Sequence, residues 1–260
     1  MKISLCNKII TKSKVENRKK TIKNYFKKAS KNNVDLIIMP ESYLTGYTSE
    51  IGNTGFLTKE DLVFKELINF AIKFNLSFIM GFNEKEKQNY YISAYAFDVN
   101  QKKYYISRKT HLGIKEKRLF KEGEEINVFK IAGIKVGVTF CHEIHIPEIF
   151  NYQSLKGAVI SFNISAAPLI CGSREDIWSK ILSTRGLDSR MNIAAVNYYY
   201  NDKFSLGAAA ADFEGNYIYE DYENDGLHIF EINIDKTLEN RNNKKKYYPK
   251  KLRMDIIQGE

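Results

Sequence analysis

Short apolar runs alternate with longer stretches of helical periodicity along most of the chain. Residues 3–9 form the first run and predict a strand. Val15, Ile22, Phe26 and Ala29 then recur at helical spacing within 14–31, with lysines and asparagines on the other side. Ser13 stands where an N-cap belongs. Asn32-Asn33 breaks that helix, and 34–39 is a short, mainly apolar run that reads as a buried parallel strand. A second amphipathic helix is predicted over 59–74 and a further strand over 77–82. Residues 90–99 and 102–108 flank Asn100-Gln101 and predict an antiparallel hairpin.

A polar, glycine-punctuated loop covers 111–125. Strands over 126–131 and 134–140 bracket the Ala132-Gly133 turn, and 157–162 is another buried strand. The longest helical pattern runs over 174–191, and strands then dominate at 193–198, 206–212, 217–220 and 227–234. From 240 onward the chain is basic and nearly without core pattern. This reads as one α/β domain over 1–260 with 240–260 as a basic tail. Strands outnumber helices, which implies two sheets.

Composition narrows the setting. A chain of 260 residues that is 43% apolar can bury a large core. No apolar run approaches the roughly 20 residues of a membrane span, so no membrane partner is expected. Met1 leads straight into the first strand and no signal peptide is visible. Cys6, Cys141 and Cys171 are scattered and odd in number, which argues for free thiols in a reducing, cytoplasmic setting. The formal charge of +9 is mixed with acids, as in Glu84, Lys85, Glu86, Lys87. With no RNA-recognition, zinc-finger or helix-turn-helix pattern, a nucleic-acid partner is not expected.

Three reactive residues share one structural setting. The run 134–140 stops at Cys141, followed at once by His142, Glu143, His145 and Glu148. A thiol at the end of a buried strand sits where open α/β sheets form crevices, although a free cysteine also serves as a small core hydrophobe. Glu41 lies just past 34–39, and Lys109 closes 102–108. If the strands before Glu41 and Cys141 are parallel neighbours, their C-terminal ends open on one crevice. A thiol, a carboxylate and an ammonium together supply the groups that acyl transfer needs. Lys109 near Cys141 favours thiolate character. Cys141 and His142 point to opposite sides of the strand end, which disfavours a Cys–His dyad, while His111 and His145 remain open as partners. The four histidines and three cysteines lack zinc spacing, so no metal and no cofactor is expected.

The segments MPESYLTGY, SRKTHL and GVTFCHEIHIPE resemble, in order, the three signature segments of the carbon–nitrogen hydrolase (nitrilase) superfamily. The resemblance extends to RGLDSRMNIAAVN and GAAAADFEGN and so covers nearly the whole chain. It implies a four-layer αββα sandwich and a homodimer or larger homo-oligomer. It also implies Cys141 as nucleophile, Glu41 as general base and Lys109 as oxyanion stabiliser. Glu116 falls on the position of a second glutamate near the substrate, with Glu124 and Glu125 as competitors in the same loop. The backbone N–H of His142 would complete the oxyanion hole, and Tyr47, Asn163 and Ser165 would stand around the substrate. Tyr43 and Tyr198 to Tyr200 could also line a pocket. The chain departs from the family pattern at His142, Glu143 and Asp188, where a bulky aromatic, an aspartate and a glutamate are more usual. The activity implied is hydrolysis of a small-molecule amide through a Cys thioester, with an ω-amide or N-carbamoyl compound as substrate. The NISAAP segment resembles a stretch of the glutamine-hydrolysing domains attached to NAD synthetases. Nitrile hydrolysis and acyl transfer to an amine are the alternatives.

Overall fold

The computed structural model describes residues 1–8, 14–47, 55–167, 174–198 and 207–243, with the backbone alone at 174–177. Two six-stranded sheets lie face to face between two helical layers. The first sheet contains β1 (Lys2–Cys6), β2 (Leu36–Ile38), β3 (Ser77–Glu86), β4 (Asn89–Asp98) and β5 (Lys103–Arg108). Its sixth strand is β12 (Leu227–Glu231), and the order is β12-β1-β2-β3-β4-β5. The second contains β6 (Val128–Ile131), β7 (Ile134–Phe140), β8 (Ile160–Ile164), β9 (Asn192–Val196), β10 (Ala208–Ala211) and β11 (Tyr217–Asp221). Its order is β11-β10-β9-β8-β7-β6. In both sheets three central strands are parallel: β1, β2 and β3 in one, β7, β8 and β9 in the other.

The period-two alternation of strand side chains builds the four layers. Ile3, Leu5, Leu36 and Ile38 face Val136, Val138, Ile160 and Phe162 across the sheet–sheet core. Their neighbours Cys6, Ile37 and Met39 point outward, onto α1 (Val15–Lys31) and α2 (Leu62–Phe74). On the other side Ile193, Ala195, Ala209 and Ala211 meet α3 (Pro147–Leu155) and α4 (Arg174–Ser189). The arrangement is the αββα sandwich that the resemblance implied.

Several expectations need correction. β2 and β7 are not neighbours in one sheet; they stand in opposite sheets, and the Glu41 charge acts on Cys141 across the sandwich. β3 continues to Glu86 and pairs with β4, making β3-β4-β5 a meander where the pattern predicted a single hairpin. α3 fills a stretch with no predicted element. Residues 240–242 belong to α5 (Ile234–Asn242), not to a tail, and Arg241 donates to the carbonyls of Ala158 and Ser154. Ser13, Cys171, Tyr199, Tyr200 and the basic stretch 244–260 lie outside the described residues. No helix among the described residues is long and apolar enough to cross a membrane.

Candidate active site

β4 runs against β3, so β5 runs the same way as β2, and the C-terminal ends of both open on one edge of the first sheet. Glu41 and Lys109 leave those ends and are both about 1% exposed. The backbone carrying Glu41 is held close against β3. Gly81 N–H donates to Pro40 O at 3.1 Å, and a Cβ at Gly81 would stand 2.3 Å from Ser42 N. Ser42, at φ +52°, turns the chain sharply there, and its hydroxyl donates to Asn83 Oδ1 at 2.7 Å. The Glu41 side chain accepts Ala166 N–H at 3.1 Å, while its carbonyl accepts Tyr198 OH at 3.0 Å. Ala166 and Tyr198 lie just past β8 and β9, so the second sheet holds both the carboxylate and the backbone of Glu41.

Lys109 Nζ donates to Glu41 Oε1 at 3.0 Å and to Glu116 Oε1 at 2.9 Å. Glu116 is itself held by Gly113 N–H at 2.7 Å and by Tyr47 OH at 3.3 Å. Glu116 therefore meets Lys109, whereas Glu124 and Glu125 are exposed and Glu124 pairs with Lys121. A single buried ammonium stands between two carboxylates.

Cys141 follows β7 at φ +45°, a conformation that L-residues seldom adopt and that strand ends at reactive sites often store. It opens a 3₁₀ turn, Cys141–His145, and is partly exposed. Asn163 Nδ2 donates to Cys141 O at 3.1 Å and to Thr139 Oγ1 at 3.0 Å, while Ser165 Oγ donates to Asn163 Oδ1 at 2.9 Å. Asn163 and Ser165 are buried, at 0% and 1% exposure; Asn163 holds the Cys141 carbonyl and Ser165 holds Asn163. Tyr47 is 37% exposed at the mouth. His142 N–H faces the Cys141 sulfur.

Electrostatics set the protonation states. Burial, reinforced by the charge of Glu116, raises the Glu41 carboxyl to about 7 even though Lys109 opposes the shift. Burial works against the Lys109 ammonium, but Glu41, Cys141 and Glu116 outweigh it and its pKa is raised. Burial and then Glu41 push the Cys141 thiol up to about 12, more than Lys109 lowers it. Lys109 does favour the thiolate, as expected, but burial and Glu41 outweigh it and favour the thiol. Burial, then Lys109, lowers the His142 imidazole, which is neutral at pH 7. A neutral thiol beside a carboxylate that titrates near neutrality, with a permanent cation next to both, can pass a proton from sulfur to carboxylate as sulfur attacks a carbonyl.

Two residues outside the predicted set hold this machinery. Glu143 accepts N–H groups from Phe140, Thr110 and His111 at 2.8–2.9 Å, and the Thr110 hydroxyl at 2.8 Å. Arg185 on α4 donates to the carbonyls of Ile144 and His145 and also meets Asp188 at 3.5 Å. Among the described residues no group of three or more His, Cys, Asp or Glu side chains is placed to hold a metal ion.

The model of the carbon–nitrogen hydrolase family matches residues 2–241. The chain belongs to that family. A probable nitrilase of Schizosaccharomyces pombe is 28% identical over 179 residues, 65% of this chain. A glutamine-dependent NAD(+) synthetase of Thermotoga maritima is 30% identical over 193 residues, 71% of this chain. The chain spans 63% of the length of the first relative and 33% of the second. Among solved structures, an amidase from Nesterenkonia sp. superposes with a TM-score of 0.79 at 18% identity, covering 99% of this chain and 95% of the amidase. In a mutant of that amidase the acetamide moiety of fluoroacetamide is attached covalently to the active-site cysteine. This carbon–nitrogen hydrolase shares the sandwich with these structures, and its Cys141, Lys109 and Glu41 all stand at the strand ends described above.

Proposed function

We propose that this carbon–nitrogen hydrolase cleaves small-molecule amides through a Cys141 thioester, with Glu41 as proton carrier and Lys109 as oxyanion stabiliser. The observation that carries the reading is the buried Lys109 ammonium bridging Glu41 and Glu116 beside the Cys141 turn. Sulfur attacks the amide carbon, its proton passes to Glu41, and the carbonyl electron pair moves onto oxygen. Lys109 and His142 N–H stabilise that oxyanion, an effect of several kcal/mol, about 3 per donor in comparable sites. Collapse breaks the C–N bond as Glu41 returns the proton to nitrogen, and ammonia or an amine leaves. Water then attacks the thioester with Glu41 again taking a proton, and the acid departs as the thiol re-forms. Glu116, anchored by Gly113 and Tyr47, holds Lys109 and faces the same space.

Amides are favoured over nitriles because the nucleophile is followed by His142 and not by the tryptophan usual in nitrile-cleaving members. The similarity to a glutamine-dependent synthetase supports an ω-amide, and an N-carbamoyl compound fits the same chemistry. The same reading takes 1–260 as one hydrolase domain that assembles as a homodimer or larger homo-oligomer. Tyr152, Leu155 and Leu187, exposed on the α3–α4 layer, support self-association. A free, reactive thiol suits a reducing cytoplasm.

Intact-mass measurement on protein treated with fluoroacetamide and with a panel of amides tests the reading. An adduct or trapped acyl group on Cys141, absent from Cys141→Ala, is expected. Turnover retained by Cys141→Ala would sink it. An added amine that diverts the acyl group from acid to a new amide would move the assignment to acyl transfer.

A further inference from the structure

The two helical layers differ in charge. α1 and α2 carry nine basic side chains against two acidic, while α3 and α4 carry three against four. A lysine-rich composition would load both layers alike, so the asymmetry is a property of this layer. Lys20, Lys23, Lys27, Lys28 and Lys31 are all exposed and recur at three- and four-residue steps along α1. Both acids of the layer, Glu16 and Glu66, close on Lys19 and leave that row without a counter-charge from α1 or α2. Like charges at this spacing repel along a helix.

α2 lies beside α1 and presents Leu62, Lys65, Asn69, Ile72 and Lys73 outward. Leu62 is 68% exposed and Ile72 43% exposed. At the other side of α1 a hollow of about 460 Å³ is lined by Lys8, Lys27, Lys28 and Lys31 with Thr21, Asn24 and the buried Tyr25. Lys8 also meets Asp225 at 3.0 Å.

We propose that the α1–α2 layer is a docking surface for an anionic lipid bilayer. The lysine row meets headgroup phosphates, the hollow admits one headgroup, and Leu62 and Ile72 enter the boundary of the acyl region. This is peripheral docking and needs no spanning segment. Nucleic acid fits the face less well. The one arginine of the layer, Arg18, is buried and donates to Tyr43 O, and no aromatic ring of α1 or α2 is exposed for bases to stack on. Exposed aliphatic groups beside lysines suit a lipid surface. The proposal stands apart from the catalytic reading, because the layer covers the outer face of the first sheet and the catalytic groups leave the strand ends.

The test is co-sedimentation of the full chain with vesicles of phosphatidylcholine alone or with about 30% phosphatidylglycerol, at about 50 and about 500 mM salt. At low salt the anionic vesicles are expected to bind at least about tenfold more protein, and high salt abolishes the difference. Exchanging Lys20, Lys23, Lys27 and Lys28 for glutamate, or for glutamine in a second variant, removes binding while amide turnover and the melting temperature stay unchanged. Leu62→Ser with Ile72→Ser weakens binding by about threefold or more. Absent binding, equal binding to neutral vesicles, or binding that survives the lysine changes would overturn the proposal. So would binding of a single-stranded RNA oligomer without vesicle binding.

Discussion

Glu143 reaches from the turn of Cys141 to the loop of Lys109: its carboxylate accepts the Thr110 backbone N–H at 2.8 Å. The same oxygen takes the Thr110 hydroxyl and His111 N–H, and the other takes Phe140 N–H at 2.9 Å. One buried side chain thus ties the residue before Cys141 in the second sheet to the residues after Lys109 in the first. Glu143→Ala leaves three N–H groups without their acceptor. It should cost about 2–5 kcal/mol by urea unfolding and about tenfold or more in turnover. Glu143→Gln keeps one oxygen but turns an amide donor toward another donor, so an intermediate loss is expected. An alanine variant with normal stability and normal rate would remove this linking role.

The protonation states give a pH profile. With Glu41 raised to about 7, its ionised fraction falls about tenfold per unit below that pH. The rate constant kcat/KM for amides should therefore climb through pH about 7 and level off above it. The thiol, held up to about 12, adds no second rise in the neutral range. A profile flat from pH 5 to 7, measured by ammonia release, would show that Glu41 is not the acceptor.

Glu41 also links pH to stability. Its folded pKa lies above the unfolded carboxylate value, so the protonated form is favoured by folding. That contribution is full below the unfolded value, about 4.5, and is lost as pH rises through about 7. Between those limits, wild type should lose more stability with rising pH than Glu41→Gln, in which this group no longer titrates. Parallel curves for the two proteins would contradict the shift.

Lys109 should tolerate no replacement. Lys109→Met removes the cation that bridges Glu41 and Glu116 and, under the proposed mechanism, an oxyanion donor. Turnover is expected to fall by about 100- to 1,000-fold. Lys109→Arg restores charge but not shape, since a planar guanidinium does not fit a site where one nitrogen meets two carboxylates. Steady-state kinetics of both variants check this, and an active methionine variant would reassign the oxyanion role.

Much of this protein was legible in its sequence, and the gaps have physical causes. The apolar runs marked β2 and β7 and came within a few residues of β8, because strands buried on both faces are rich in apolar residues, although β8 (ISFNI) itself carries the buried Ser161 and Asn163. Nothing in such a run says which sheet it joins, so the placing of Glu41 and Cys141 on opposite sheets was hidden. The end of β3 read as a solvated Glu-Lys alternation, yet Glu84 is buried there. Its partner Arg108 lies 24 residues on and holds it with two hydrogen bonds at 2.8 Å. α5 carries little apolar pattern because its buried positions include Thr237 and Asn240. The role of Glu143 was silent for the same reason as Glu84, since Thr110 and His111 stand more than 30 residues away along the chain. Glu41, Lys109 and Cys141 stood out because each closes a readable run, while the roles expected of them came from the resemblance of the segments around them.

The close packing of Gly81 supplies a last prediction. A Cβ there would stand 2.4 Å from Pro40 O and 2.5 Å from Glu41 Cα, as well as 2.3 Å from Ser42 N. All three are backbone atoms, so no rotamer change relieves the clash and the Glu41 segment must move. Gly81→Ala should therefore displace the carboxylate without touching the thiol or the ammonium. Turnover is expected to fall by about 100-fold, the size of an ångström-scale misplacement, with a stability loss of about 1–3 kcal/mol. Gly133→Ala is the control: at φ +87° it strains its turn, by about 1 kcal/mol, but nothing lies within 4 Å of the new methyl. It should lose stability alone. Equal effects of the two variants on kcat would show that the approach of Gly81 does not set the position of Glu41.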